Sequence, residues 1–168
     1  MLTCRLPGLE ERSPIRVVLD AALRTPASAR LVLSARDAPS LIIAAEGASR
    51  AAEARLAASG VEILRVHADA NGFLDLDAVM RLLASRGITL VMCEGGPRLA
   101  NELARHNLID EAVVITAAKR LTGSGVPALG PALAGAISKS HLVPAECLTF
   151  GEDRWARYER ASACSPAS

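Results

Sequence analysis

Residues 72–103 read GFLDLDAVMRLLASRGITLVMCEGGPRLANEL, and this stretch decides the fold. Its first part carries both ends of a helix. Asp75 stands as a side-chain cap before an apolar face of Leu76, Val79, Met80, Leu82 and Leu83, which predicts a helix over 76–86. Gly87 supplies the left-handed stop. TLVMC at 89–93 is short and apolar and reads as a buried strand, with Cys93 as a small buried hydrophobe. Glu94-Gly95-Gly96-Pro97 then turns into a second helix running to about His106, with Pro97 suited to its first turn. Helix, buried strand and helix in succession mark an α/β sheet with parallel strands.

Working outward, strands are expected at 15–20 (IRVVLD), 41–45 (LIIAA), 61–67 (VEILRVH, alternating as a strand with one wet face) and 111–117 (EAVVITA, buried). Ser49 is the expected N-cap of a helix through Ser59, closed by Gly60. Residues 1–14 read as irregular, 21–39 as a loop with a short strand at 30–34, and 121–144 as a long Gly/Pro/Ala-rich stretch. Residues 147–150 and 155–160 form a final hairpin turning at 151–153. The expected class is α/β, with a mostly parallel sheet closed by a C-terminal antiparallel hairpin. One domain covers 1–160 and a disordered Ser/Ala tail covers 161–168.

Composition narrows the partners. Hydrophobic residues make up 51% of the chain but aromatics only 2%, so the core must be built from Val, Leu, Ile and Ala. Nineteen basic residues balance 18 acidic ones, which speaks against an electrostatic nucleic-acid or membrane partner. Cys4, Cys93, Cys147 and Cys164 form no CxxC pair and lie far from His67, His106 and His141, so no metal site is expected. With no signal peptide and no apolar run of the roughly 18 residues a membrane span needs, the expected compartment is the cytoplasm.

The strand–EGGP–helix turn is the sharpest candidate site. Gly95 and Gly96 leave room for a ligand beside the backbone, and the helix start offers N–H groups and a partial positive charge to a phosphate. Two glycines and a proline equally make a tight turn and nothing more. Glu94 has two readings as well: an acceptor for a substrate's ring N–H or hydroxyl groups, or a carboxylate that caps the following helix. Arg5 has the chemistry to grip a phosphate bidentately, although an arginine near a terminus is more often a solvated one. Asp20 ends a strand, where a capping role outweighs a catalytic one. No Ser/His/Asp arrangement and no carboxylate pair stands out, so no catalytic side chain is named. That is compatible with hydride transfer, in which a cofactor carries the chemistry.

Residues 15–26 (IRVVLDAALRTP), 72–103 and 108–123 (LIDEAVVITAAKRLTG) closely resemble the reductase domain of the bifunctional riboflavin biosynthesis deaminase/reductase. The similarity runs from Leu2 to about Arg160. The resemblance implies a three-layer dihydrofolate-reductase-like fold and a homodimer. It also implies NADPH-dependent reduction of 5-amino-6-(5-phosphoribosylamino)uracil to its ribitylamino form. Leu2 and Arg5 match the family's L-T-x-R substrate contacts, with Arg5 near the ribose phosphate, and Glu94 matches its substrate-contacting Glu. Gly95, Gly96, Pro97, Arg98, Leu99, Ala100, Asn101 and Glu102 match the cofactor-binding turn and first helical residues.

Two departures from the family pattern stand out. Ala21 falls where many members have a cofactor-contacting Ser, a difference of one hydrogen bond, on the order of 0.5–1.5 kcal/mol. Members also carry a further stretch before L-T-x-R that includes a core strand, often preceded by a zinc deaminase domain. The expected fold therefore lacks its N-terminal elements. Two alternatives follow: a truncated nucleotide-binding or dimerisation module without activity, or a related pyrimidine or pteridine reductase. No basic residue stands out as a partner for a 2′-phosphate.

Overall fold

A computed structural model of the protein describes residues 3–9, 12–120, 123, 125–139 and 141–161. Leu2 and most of the 161–168 tail lie outside the described residues. The chain divides into two compact units, Met1–Thr89 and Leu90–Ser168.

The first unit is a parallel sheet with helices on both faces. Its strands are β1 (Arg16–Leu19), β2 (Ser40–Ala45) and β3 (Glu62–Val66), in that spatial order. β2 is central, and its alternating side chains feed two cores. Ile42 and Ala44 join Leu23, Val32, Ala52 and Leu56 on one face. Leu41 and Ile43 join Val66, Val79 and Leu83 on the other. A strand covered on both sides reads as an unbroken apolar run, and Ile42 and Ile43 are both 0% exposed.

The connections between these strands are helical. α1 (Arg30–Leu33) stands where a short strand was expected at 30–34. The local pattern RLVLS suits either form. A parallel β1–β2 pair needs a crossover over the sheet, and α1 with its neighbours drops Leu31, Val32 and Ala35 onto the core. α2 (Arg50–Ala57) begins as expected, with the Ser49 Oγ accepting from the Ala52 N–H at 3.3 Å. In α3 (Leu76–Ser85) the Asp75 carboxylate accepts from the Ala78 N–H at 2.9 Å. α3 closes in a Schellman pattern: Gly87 N–H to Ala84 O and Ile88 N–H to Leu83 O, with φ +78° at Gly87. Ile88 then packs into the second core.

Arg16 is buried at the start of β1, 3% exposed. Its guanidinium donates to the Ser34 Oγ and carbonyl, the Ala38 carbonyl and the Ser40 Oγ. These bonds tie the end of the α1 crossover to the start of β2. Arg65 does the same at the next turn, donating to the carbonyls of Ala45, Glu46 and Ala48 and to the Glu53 carboxylate.

The second unit holds α4 (Pro97–Arg105), β4 (Glu111–Thr116), α5 (Pro131–Ser138), β5 (Leu142–Phe150) and β6 (Asp153–Arg160). Its sheet is antiparallel in the order β4-β6-β5. The hairpin turns through two residues, and Gly151 at φ +63° takes the first position, as a type II′ turn asks. Pro144 sits at a bulge in the edge strand β5, where a missing N–H costs no ladder bond.

Three expectations change in this unit. Residues 89–93 pair with no strand among the described residues, and Cys93 is exposed rather than buried. Leu90 is 87% and Met92 81% exposed. An apolar run becomes a buried strand only where neighbours accept its hydrogen bonds and side chains. β4 forms where expected, but Ile115 is 68% exposed and Val113 is exposed beside it, so the strand is not buried. The stretch 121–144 contains α5 and the start of β5, because Gly130-Pro131 starts a helix and the Ala-rich turn that follows sustains it.

Candidate functional site

The turn before α4 resolves the roles of its two glycines. A Cβ on Gly95 would lie 2.8 Å from the Leu99 Cδ2, so glycine there lets the turn close over its own helix. A Cβ on Gly96 would meet nothing within 4 Å, so the space beside Gly96 is open. Gly96 is the N-cap residue, with φ −67° and ψ 175°, and makes no side-chain cap. The first intrahelical bond runs from Ala100 N–H to Gly96 O, leaving the N–H of Leu99 with no acceptor in the helix. No acidic residue lies in the first turn of α4. Gly96 thus brings no side-chain cap to the positive end of the helix and its first turn brings no carboxylate, which fits an anionic group of a cofactor.

Glu94, Gly95 and Gly96 are exposed, while Pro97, Leu99, Ala100, Asn101 and Glu102 are half-buried. Arg98 is exposed. Glu102 lies 3.8 Å from Arg105 as a loose ion pair. In the first unit Arg5 is exposed, and Ala21 is half-buried just after β1, its carbonyl accepting from the Ala45 N–H. Leu2 lies outside the described residues.

Asn101 has a structural duty that its sequence context did not reveal. Its Oδ1 accepts from the Ala132 N–H at 2.8 Å, capping the start of α5. A Cβ on Gly130 would lie 2.3 Å from that same oxygen. The two helices begin alike, GPRLA at 96–100 and GPALA at 130–134, yet one start is closed by a neighbour and the other is open. The repeated Gly-Pro-x-Leu-Ala was the available signal for α5. Gly130→Ala is expected to destabilise the protein by about 1–2 kcal/mol through overpacking. Less should be lost in an Asn101→Gly background, which removes both the Oδ1 at 2.3 Å and the Cβ at 2.7 Å; a double-mutant cycle by urea unfolding measures the coupling.

Asp20 closes β1 as a capping residue. Its Oδ2 accepts from the Thr25 N–H at 2.6 Å and from the Thr25 Oγ1 at 2.7 Å. Burial pushes this carboxyl up, but the bonds from Thr25 and the backbone of Arg24, with the Arg24 charge, outweigh burial and hold it below the ordinary value. A depressed carboxyl contributes stability that is full above the unfolded-state value, about 3.9, and is lost as pH falls through the lower folded value. Asp20→Asn is therefore expected to be less stable than the parent at neutral pH, with the gap closing below about pH 4. Urea midpoints across that range test this; a gap independent of pH would refute it.

Among the described residues, no three His, Cys, Asp or Glu side chains gather as a metal site would require. Nor is any helix among them long and apolar enough to cross a membrane.

Comparison with known proteins adds to this geometry. Residues 1–154 match the family described as the RibD C-terminal domain. The riboflavin biosynthesis protein RibD of Bacillus amyloliquefaciens is 32% identical over 128 residues, covering 76% of this chain and 33% of that protein. The 2,5-diamino-6-ribosylamino-4(3H)-pyrimidinone 5′-phosphate reductase of Aquifex aeolicus is 28% identical over 118 residues, covering 70% of this chain and 51% of that protein. Acinetobacter baumannii RibD, in its form 2 structure, shares the fold with a TM-score of 0.71 at 18% identity, over 94% of this chain and 42% of that one. The chain spans about a third of the length of the RibD relative from Bacillus.

Proposed function

Because the chain belongs to the RibD C-terminal domain family, we propose that it is a reductase of riboflavin biosynthesis that uses NADPH. Its substrate in this reading is 5-amino-6-(5-phosphoribosylamino)uracil, reduced to the ribitylamino form. The observation that carries the proposal is the open space beside Gly96 at the start of α4, where the N-cap residue has no side chain and the first turn no acidic residue. That opening is specific to Gly96, since α5 has the same Gly-Pro start and is closed by Asn101.

When bound, the cofactor supplies the hydride, delivered to C1′ of the ring-opened ribose. In the imine form, C1′ gains the hydride and the nitrogen takes a proton from water, leaving a secondary amine. The residues of the chain bind and orient. The N–H groups and dipole at the start of α4 hold an anionic phosphate of the cofactor. The exposed Glu94 carboxylate accepts hydrogen bonds from the pyrimidine, and Arg5 neutralises the ribose phosphate. No side chain is assigned a proton-transfer role. The assembly in this reading is a homodimer and the compartment the cytoplasm.

The Aquifex relative favours a close variant, since its name specifies a 2,5-diaminopyrimidinone carrying the same ribosylamino phosphate arm. Oxidation of NADPH with each of the two substrates, followed by product identification, separates the variants. If the full-length protein oxidises NADPH with neither and binds no NADPH, the reductase reading is lost.

A further inference from the structure

Asn101 stands in the stretch matched to the cofactor-binding helix start, and its carboxamide oxygen serves a second helix. That oxygen accepts from the N–H of Ala132, the second residue of α5, at 2.8 Å. Gly130, the N-cap of α5, fits against Asn101 because a Cβ there would overlap the Oδ1, Cγ and Cβ of the asparagine. The contact fixes where α5 begins, which is beside the middle of α4.

Further along, Ala104 and Asn107 line one small hollow with Ala136 and His141. Residue numbers therefore rise in the same direction along both helices, and α4 and α5 run parallel. Gly130 lies beside Asn101, four residues after Pro97, so α5 begins one helical turn, about 6 Å, behind the start of α4. Each start carries a partial positive charge, and neither helix has an acidic residue in its first turn. Parallel helices that begin at one end of the unit add their fields there, where antiparallel ones would cancel. Pro97 and Asn101 share a face of α4, and a helical side chain leans toward its own N-terminus. The Asn101 carboxamide thus lies over the first turn of α4. Its residue type matters at that place. Asparagine and aspartate cap a helix about equally well, but aspartate would set a full negative charge one turn from Gly96. Asparagine supplies the cap and leaves the field intact.

We propose that Asn101 is a positioning residue of the cofactor site. It sets the start of α5 beside α4 so that the positive ends of both helices face one phosphate, and it does so without charge. The proposal rests on the reading in which the start of α4 holds that phosphate.

The test titrates NADPH into the full chain and three variants by fluorescence, at low and at high salt, with thermal melting of each. Asn101→Asp keeps the cap and should melt within about 2 °C of the parent. It should bind NADPH about 10-fold more weakly at low salt, and the gap should narrow at about 1 M salt as the charge is screened. Asn101→Ala loses the cap. It should melt about 4 °C lower and bind about 3-fold more weakly than the parent, a ratio that salt leaves unchanged. Gly130→Ala disturbs the same contact from the α5 side and should weaken NADPH binding to a similar extent. A cap with no bearing on the site would shift melting temperatures and leave every affinity at the parent's value, which overturns the proposal. Loss in both Asn101 variants with none in Gly130→Ala would mean that the carboxamide touches the cofactor itself, and overturns it too. Should Asn101→Asp fail to fold, the affinities of Asn101→Ala and Gly130→Ala decide by the same comparison. A parent that binds no NADPH removes the cofactor reading and this proposal with it, whereas a parent that binds beside unaffected variants removes the proposal alone.

Discussion

Gly96→Asp is expected to weaken NADPH binding by about 10- to 100-fold while leaving the protein as stable as the parent or slightly more so. The two effects have opposite signs because they draw on the same N–H groups. Gly96 is the N-cap of α4, its φ of −67° suits any residue, and a Cβ there meets nothing within 4 Å. An aspartate at an N-cap accepts from the N–H groups two or three residues on, and is favoured over glycine by a few tenths of a kcal/mol. The same carboxylate occupies the donors that a cofactor phosphate needs and repels the phosphate itself. Tenfold in affinity is about 1.4 kcal/mol, so losing one or two charge-assisted bonds covers the expected range. Gly96→Ala, which adds no charge and no acceptor, should bind within a few-fold of the parent. Fluorescence titration with NADPH, paired with thermal melting, provides both readouts. An aspartate variant that binds NADPH as the parent does would move the phosphate away from this helix.

Arg16→Leu is expected to cost about 3–4 kcal/mol of unfolding free energy, a large share of the 5–15 kcal/mol typical of a domain. The side chain is 3% exposed and serves two hydroxyl and two carbonyl oxygens. Leucine leaves those acceptors buried, and each unsatisfied buried acceptor costs about 1–3 kcal/mol. Release of a buried charge returns part of that sum, which keeps the total below simple addition. Lysine should recover little, because one ammonium has neither the fork nor the reach to serve acceptors from Ser34 to Ser40. Urea unfolding of the three proteins measures this. A loss under about 1 kcal/mol for Arg16→Leu would mean that water replaces the guanidinium and that the crossover does not depend on it.

Much of the first unit was legible from local chemistry. The Asp75 cap, the Gly87 stop and the apolar stripe between them define α3 without reference to the rest of the molecule. The same holds for the Ser49 cap of α2, and for the apolar runs of β1 and β2. In each case the signal lies within one turn or one strand. Residues 30–34 misled because RLVLS is a short apolar run that suits a strand as well as a helix, and only the need to cross over a parallel pair makes it a helix. Residues 89–93 misled for the complementary reason: TLVMC has the composition of a buried strand, but burial requires neighbours.

The candidate site divides along the same line. Glu94-Gly95-Gly96-Pro97 announces a helix start that suits an anion, because glycine, proline and free N–H groups act at fixed short spacings. That Gly95 serves packing and Gly96 leaves space depends on where the Leu99 side chain lies. That Asn101 caps α5 depends on a helix 30 residues further along the chain. By itself, then, the sequence determined the caps, the stops, the apolar runs of β1 and β2 and the Gly-Pro start of α4, since these are contacts within a few residues. The tertiary structure alone decided which apolar runs found partners and which helix start stayed open, because those depend on contacts between residues far apart in the chain.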